Sequence, residues 1–310
     1  MRVLVIGAGA IGGYFGARLL AARRDVTFLV RPARAEALAK GGLVVRSGAG
    51  DVAIPHPPTT TADALVGPFD LIIVSCKSYD LELAIQSFAP VVGKNTVVLP
   101  LLNGIRHIDV LNARFGRDRV FGGHCAISAT MSFDGVIHHL VHLHTLGFGA
   151  QPGALSTRRE EILQTLSGAS FVADASDNIM QDMWEKWVMI ATIAGSTCLM
   201  RAPIGDILAA GASDVVLSLL EDCCDIAAGS GFEPRAAYLE RLRAILMTPN
   251  SLLMSSMLRD MESGSSTECE HILGDLLIRA RSGGSATFLK VAHAHAKSYE
   301  ARRARESASR

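Results

Sequence analysis

The chain has 310 residues, too many for one small core and enough for two domains. Formal net charge is zero, so the basic field that a nucleic-acid partner needs is missing. The longest apolar stretch, residues 187–200, falls short of the ~20 residues of a membrane span and carries Thr, Gly and Ser. The apolar N-terminal run is broken by glycines where a signal peptide needs a continuous apolar segment. The six cysteines are scattered, with no CxxC, which fits reduced thiols. A soluble cytoplasmic protein with no nucleic-acid or membrane partner is expected.

Residues 2–6, rich in Val and Ile, read as a buried parallel strand. Gly7-Ala8-Gly9-Ala10-Ile11-Gly12 follows at once, then a helical pattern over residues 14–22. Strand, GxGxxG and helix in this order predict a dinucleotide site. Gly7 permits the tight turn, Gly9 lets a pyrophosphate approach the backbone, and Gly12 lets helix and strand pack closely. A second strand is read at 26–30. Its end lacks the acid that holds the ribose of NAD and carries Arg31 and Arg34 instead. Guanidinium suits a phosphate better than a bare ribose, so NADP(H) is expected.

Residues 43–54 read as a peripheral hairpin and 70–75 as a further buried strand. Lys77 sits just past that strand's end, where open α/β sheets bind ligands; an ordinary loop lysine fits as well. Strand 96–99 runs into Leu102-Asn103-Gly104, where Asn103 is either a turn residue or a functional one. Strands are read at 119–129 and 135–149. In the second of these His138, His142 and His144 would share one face, an exposed surface rather than a metal site for want of accompanying Cys or carboxylate. A helix at 158–166 and a strand at 170–174 complete an α/β region over residues 1–176.

Residues 177–310 show only helical stretches. The first, 183–200, carries Lys186, with Ile190 and Ala194 on the same stripe. Lys186 fits either a snorkelling surface lysine or a half-buried ammonium facing a site. Thr267-Glu268-Cys269-Glu270 fits a capping box, which puts Glu268 in the first turn of a helix running to Arg281. By position Glu268 serves the helix dipole or a ligand. His293 and His295 lie two apart and do not share a face.

Several stretches together resemble the ketopantoate reductase family (2-dehydropantoate 2-reductases), essentially end to end. They are GAGAIGGYFGARL, SCKSYDLELAI, LLNGIRHIDVL, MWEKW, GFEP and SSMLRDMESGSSTECEHILGDLLIRAR. Ser256 and Glu268 keep the family's spacing of a serine and a glutamate twelve positions on. The resemblance implies an N-terminal Rossmann-type doubly wound sheet and an all-α C-terminal domain. It implies reduction of 2-dehydropantoate to pantoate with NADPH, a step of pantothenate biosynthesis. Lys186 would be the general acid and Glu268 its support. Ser256 would hold the substrate, Asn103 the substrate and nicotinamide, and Arg31 and Lys77 the adenosine phosphate. A homodimer is compatible with the sequence, though no residue specifies it.

The chain departs from the family at Ile190 and Ala194, where asparagines are usual. An apolar wall discriminates a polar substrate poorly, so a less polar 2-oxo acid is the rival substrate. A non-catalytic NADP(H) sensor is the rival from another class. Thr192, Ser196 and Thr197 are the polar residues near enough in sequence to compensate.

Overall fold

The computed structural model describes residues 1–152, 156–280 and 285–308. The chain forms two units. One comprises Met1–Leu102 with His107–Met180, and the other Asn103–Arg106 with Gln181–Arg310.

The first unit contains, in chain order, β1 (Arg2–Ile6), α1 (Ala10–Ala21), β2 (Asp25–Leu29), α2 (Pro32–Gly41), β3 (Leu43–Arg46), β4 (Val52–Ile54) and β5 (Thr59–Thr60). It continues with β6 (Leu71–Val74), α3 (Leu81–Phe88), β7 (Val97–Pro100), α4 (Arg106–Phe115, entering it at His107), β8 (Phe121–Met131), β9 (Ile137–Ala150), α5 (Arg159–Leu166) and β10 (Val172–Ala175). One sheet has the order β5-β2-β1-β6-β7, every neighbouring pair parallel. Val3–Val5, Leu71–Val74 and Val98–Leu99 are fully buried, as strands covered on both faces must be. Strand order reverses between β1 and β6, the switch point where such sheets open a crevice at their carboxyl ends.

The second sheet runs β10-β9-β3-β4, with β8 also paired to β9. The expected hairpin at 43–54 is β3 and β4, paired antiparallel, and β3 also joins β9 in parallel. Helix α1 packs with Phe15 and Leu19 fully buried in the same core as Phe28, Phe121 and Phe148.

In β9 the expected histidine face is not the one that forms. The β8–β9 register slips between the pairs Ile127/His144 and Ala129/His139, where β9 carries three residues more than β8, and an odd number of extra residues reverses which face the side chains take. His139 and His144 therefore stack, with ring centroids 5.2 Å apart. Tyr14 Oη lies 2.6 Å from His144 Nδ1. Among the described residues no group of three His, Cys, Asp or Glu is arranged to hold a metal.

The second unit is helical: α6 (Ile179–Met200, entering it at Gln181), α7 (Ile204–Ala209), α8 (Ser213–Gly229), α9 (Ala236–Leu246), α10 (Ser256–Glu262), α11 (Asp275–Ile278) and α12 (Thr287–Ala308). A π-helical turn, Glu270–Gly274, leads into α11. The helix expected to reach Arg281 ends at Ile278, and Arg281 lies outside the described residues. Helix α6 is the spine of this unit: Trp184, Trp187 and Val188 are essentially inaccessible, each burial stabilising by about 1.5–3 kcal/mol. Among the described residues no helix is long and apolar enough to cross a membrane.

Candidate active site

The glycine loop closes β1 onto α1. Gly7 has φ +89°, a left-handed conformation that favours glycine. A Cβ on Gly12 would lie 2.1 Å from Ser75 Oγ and 2.4 Å from the Gly7 carbonyl oxygen, so helix and strands meet there without room for a side chain. A Cβ on Gly9, by contrast, would meet nothing within 4 Å. Gly9 is also the N-cap of α1, with no side-chain cap and no acid in the first turn. An open backbone face at a bare helix N-terminus, Ala10-Ile11-Gly12, fits the pyrophosphate of a dinucleotide. The residues present thus suit a dinucleotide cofactor.

Arg31 and Lys77 lie past the ends of β2 and β6. Arg31 is the N-cap of α2 and Lys77 that of the turn Ser78–Asp80. Arg31 reaches across to Asp80, Nη2 to Oδ1 2.7 Å, while staying 73% exposed. Arg34, the second arginine after β2, turns towards the glycine loop. It sits in the first turn of α2, and its Nε and Nη2 donate to the Ala8 carbonyl at 3.2 and 2.9 Å. Two of its donors hold the glycine loop itself, and burial lowers the guanidinium's proton affinity.

Asn103 belongs with the helical unit, as part of Asn103–Arg106, rather than with the sheet region in which the sequence places it. The Lys186 ammonium donates to Asn103 Oδ1 at 3.0 Å, across 83 residues of sequence. The neighbours of Lys186 on α6 fix its direction. Glu185 is 1% exposed and accepts from the Arg235 backbone N–H and Nε, each at 2.8 Å, and from Nη2. Burial pushes the Glu185 carboxyl up, and Arg235 outweighs this and holds it below its ordinary value. On the other side the Trp187 indole donates to the Ile272 carbonyl at 2.9 Å. With residues 185 and 187 pinned, the helix cannot rotate, and the side chain between them is aimed. The MWEKW and GFEP stretches thereby meet: Trp184 stacks on Phe232, centroids 5.2 Å apart, and Gln181 donates to the Glu233 carbonyl.

Glu268 is half-buried and precedes the π-helical turn, its carbonyl accepting from the Ile272 N–H at 2.9 Å. The capping box expected around it does not form. Thr267 N and Oγ1 both donate to Glu300 Oε1 on α12 at 2.6 Å, while Glu270 turns outward to His293 and Lys297. Ser256 opens α10 and is exposed; its neighbour Ser255 is the cap, accepting from the Leu258 N–H at 3.0 Å.

Ile190 is half-buried on the Lys186 stripe and Ala194 is 1% exposed. The candidate polar substitutes are fully buried. Thr192 and Thr197 donate back to the Val188 and Ile193 carbonyls, and Thr197 also meets Ser255. Ser196 Oγ has no hydrogen-bond partner among the described residues. The lysine face beyond Lys186 is therefore apolar at both positions.

Sequence reasoning missed His271. The residue is 7% exposed, and its ring donates to the Asn103 backbone carbonyl. Burial pushes it below its ordinary value, against the pull of Glu268, the Asn103 carbonyl and Asp275. The only signal in the sequence is its place three residues after Glu268.

Comparison with known proteins shows the family and the fold. The family model described as ketopantoate reductase PanE/ApbA matches residues 3–153, and its C-terminal counterpart matches residues 178–300. An uncharacterized oxidoreductase of Bacillus subtilis, YkpB, is 36% identical over 97% of this chain and 99% of its own. A 2-dehydropantoate 2-reductase of Archaeoglobus fulgidus is 30% identical over 91% and 92%. The crystal structure of the 2-dehydropantoate 2-reductase of Geobacter metallireducens superposes with a TM-score of 0.87 at 26% identity, covering 96% and 99%.

Proposed function

Because the chain belongs to the ketopantoate reductase family, we propose that it is an NADPH-dependent 2-oxo acid reductase, with 2-dehydropantoate its first candidate substrate. The observation that carries the reading is the Lys186 ammonium aimed by its two pinned neighbours and bonded to Asn103. The nicotinamide, when bound, supplies hydride to the keto carbon. Negative charge then grows on the carbonyl oxygen. The Lys186 ammonium stabilises that charge and gives up a proton from Nζ to the oxygen. Asn103 Oδ1 orients the ammonium, Glu268 supports it in its charged form, and Ser256 holds the substrate carboxylate. Gly7, Gly9, Ala10, Ile11 and Gly12 hold the pyrophosphate; Arg31 and Lys77 hold the adenosine phosphate.

Ile190 and Ala194 favour a second substrate reading, a 2-oxo acid with a less polar side chain, because neither side chain can bond a substrate hydroxyl. Both readings are tested by NADPH oxidation at saturating cofactor, with 2-dehydropantoate beside branched and aromatic 2-oxo acids. The Lys186→Ala variant should bind NADPH as wild type does and lose ~10²–10⁴-fold in kcat. Undiminished turnover in that variant would remove Lys186 from the reaction.

A further inference from the structure

We propose that His271 is a positioning residue, whose ring N–H holds the Asn103 backbone so that the carboxamide meets the Lys186 ammonium. The inference rests on the reading of Lys186 as proton donor.

Asn103–Arg106 is a four-residue strip that leaves its sequence neighbours to join the helical unit. His271 makes two contacts with this segment. Its ring donates to the Asn103 carbonyl. It also packs against Gly104, where a Cβ would lie 3.1 Å from the His271 carbonyl oxygen and 3.3 Å from ring atoms Cδ2 and Nε2. Gly104 has φ +78°, so the backbone turns sharply at that contact. The carbonyl gripped by His271 and the carboxamide gripped by Lys186 belong to the same residue. Holding the first restricts where the second can go.

The same π-helical turn coordinates three groups. The Glu268 carbonyl starts it, His271 projects onto Asn103, and the Ile272 carbonyl takes the indole of Trp187, next to Lys186. Such wide turns recur at functional sites, and here the turn places Glu268 and His271 together. The charged groups facing the imidazole are Glu268, Asp275 and Arg106. A misplacement of about 1 Å at a reacting group costs ~10²-fold, which sets the scale of the effect.

The test uses the full chain with ¹⁵N-labelled asparagine, which gives five side-chain amide signals: Asn95, Asn103, Asn112, Asn178 and Asn250. Asn103→Ala assigns the relevant one, and no substrate is needed. In His271→Phe, which keeps a ring and loses the donor, the Asn103 signal should move or broaden while the other four stay. With a turned-over 2-oxo acid, kcat should fall ~10–100-fold at unchanged NADPH affinity. His271→Phe in the Asn103→Ala background should cost nothing more. His271→Gln, which retains a donor, should recover the signal and most of the turnover; it also guards against misfolding of the Phe variant. An unmoved Asn103 signal, or losses that multiply in the double variant, would overturn the role of His271. If Lys186→Ala is inactive and His271→Phe normal, only this inference falls. If Lys186→Ala is fully active, the proton-donor reading falls, and the Asn103 signal alone decides whether His271 holds that loop.

Discussion

Replacing Arg235 with Met should destabilise the helical unit in a pH-dependent way. Glu185 is 1% exposed and takes two hydrogen bonds from the Arg235 side chain and one from its backbone. Removing one partner of a buried pair costs ~3–5 kcal/mol. Arg235 is itself 56% exposed, and its backbone N–H and Gln181 still serve Glu185 in the variant, so about 3 kcal/mol is expected at pH 7. In the wild type the Glu185 carboxyl ionises below its ordinary value of 4.5: burial raises it and Arg235 more than compensates. A carboxylate depressed in the fold stabilises it fully above its ordinary value and loses that contribution as pH falls through the folded value. In the variant burial dominates, so protonation relieves the strain. The deficit should therefore shrink from pH 7 towards pH 4. Both tryptophans, Trp184 and Trp187, flank Glu185 on α6 and are buried, so their fluorescence reports this unit during urea unfolding. With a slope of about 2 kcal/mol/M, the midpoint should drop by ~1.5 M at pH 7. A drop under ~0.3 M, or a deficit that stays constant down to pH 4, would refute the reasoning.

Gly12→Ala puts a methyl 2.4 Å from the Gly7 carbonyl oxygen, which the tight turn cannot move aside; NADPH affinity by calorimetry should fall ~5–150-fold, the cost of overpacking by ~1–3 kcal/mol. Arg31→Ala should raise the NADPH Kd ~10-fold, the worth of a charge-assisted bond, and change the NADH Kd little; equal changes would end the case for NADP preference. Glu300→Ala strands the buried Thr267 donors and should cost ~1–3 kcal/mol, seen as a lowered thermal midpoint of tryptophan fluorescence together with reduced kcat. An unchanged midpoint would show that Glu300 does not hold the Glu268 turn.

What could be read from sequence was what is local. The glycine loop, its preceding strand and its helix lie within the first two dozen residues and carry their own signals, so Gly7, Gly9 and Gly12 fall where the pattern puts them. The antiparallel hairpin at 43–54 and the helical character after residue 179 were equally local. Readings failed where a distant partner competes with a near one. Thr267 and Glu270 have the spacing of a capping box, yet Glu300 and Lys297 on α12 claim them. Alternation in β9 predicted a face for His138, His142 and His144; one register slip set by the pairing strand stacked His139 on His144 instead. Nothing local marks Asn103–Arg106 as grouping with the helical unit, because four residues can do so without any change in composition.

The cap on Thr267 comes from a residue 33 positions later in the chain. During synthesis that distance becomes time. The parallel strands β1, β2, β6 and β7 have all been made by residue 100, and domains fold as they emerge. The turn bearing Glu268 must wait, uncapped, until α12 clears the ribosome. The order of translation thus places a finished glycine loop ahead of a finished Glu268 turn.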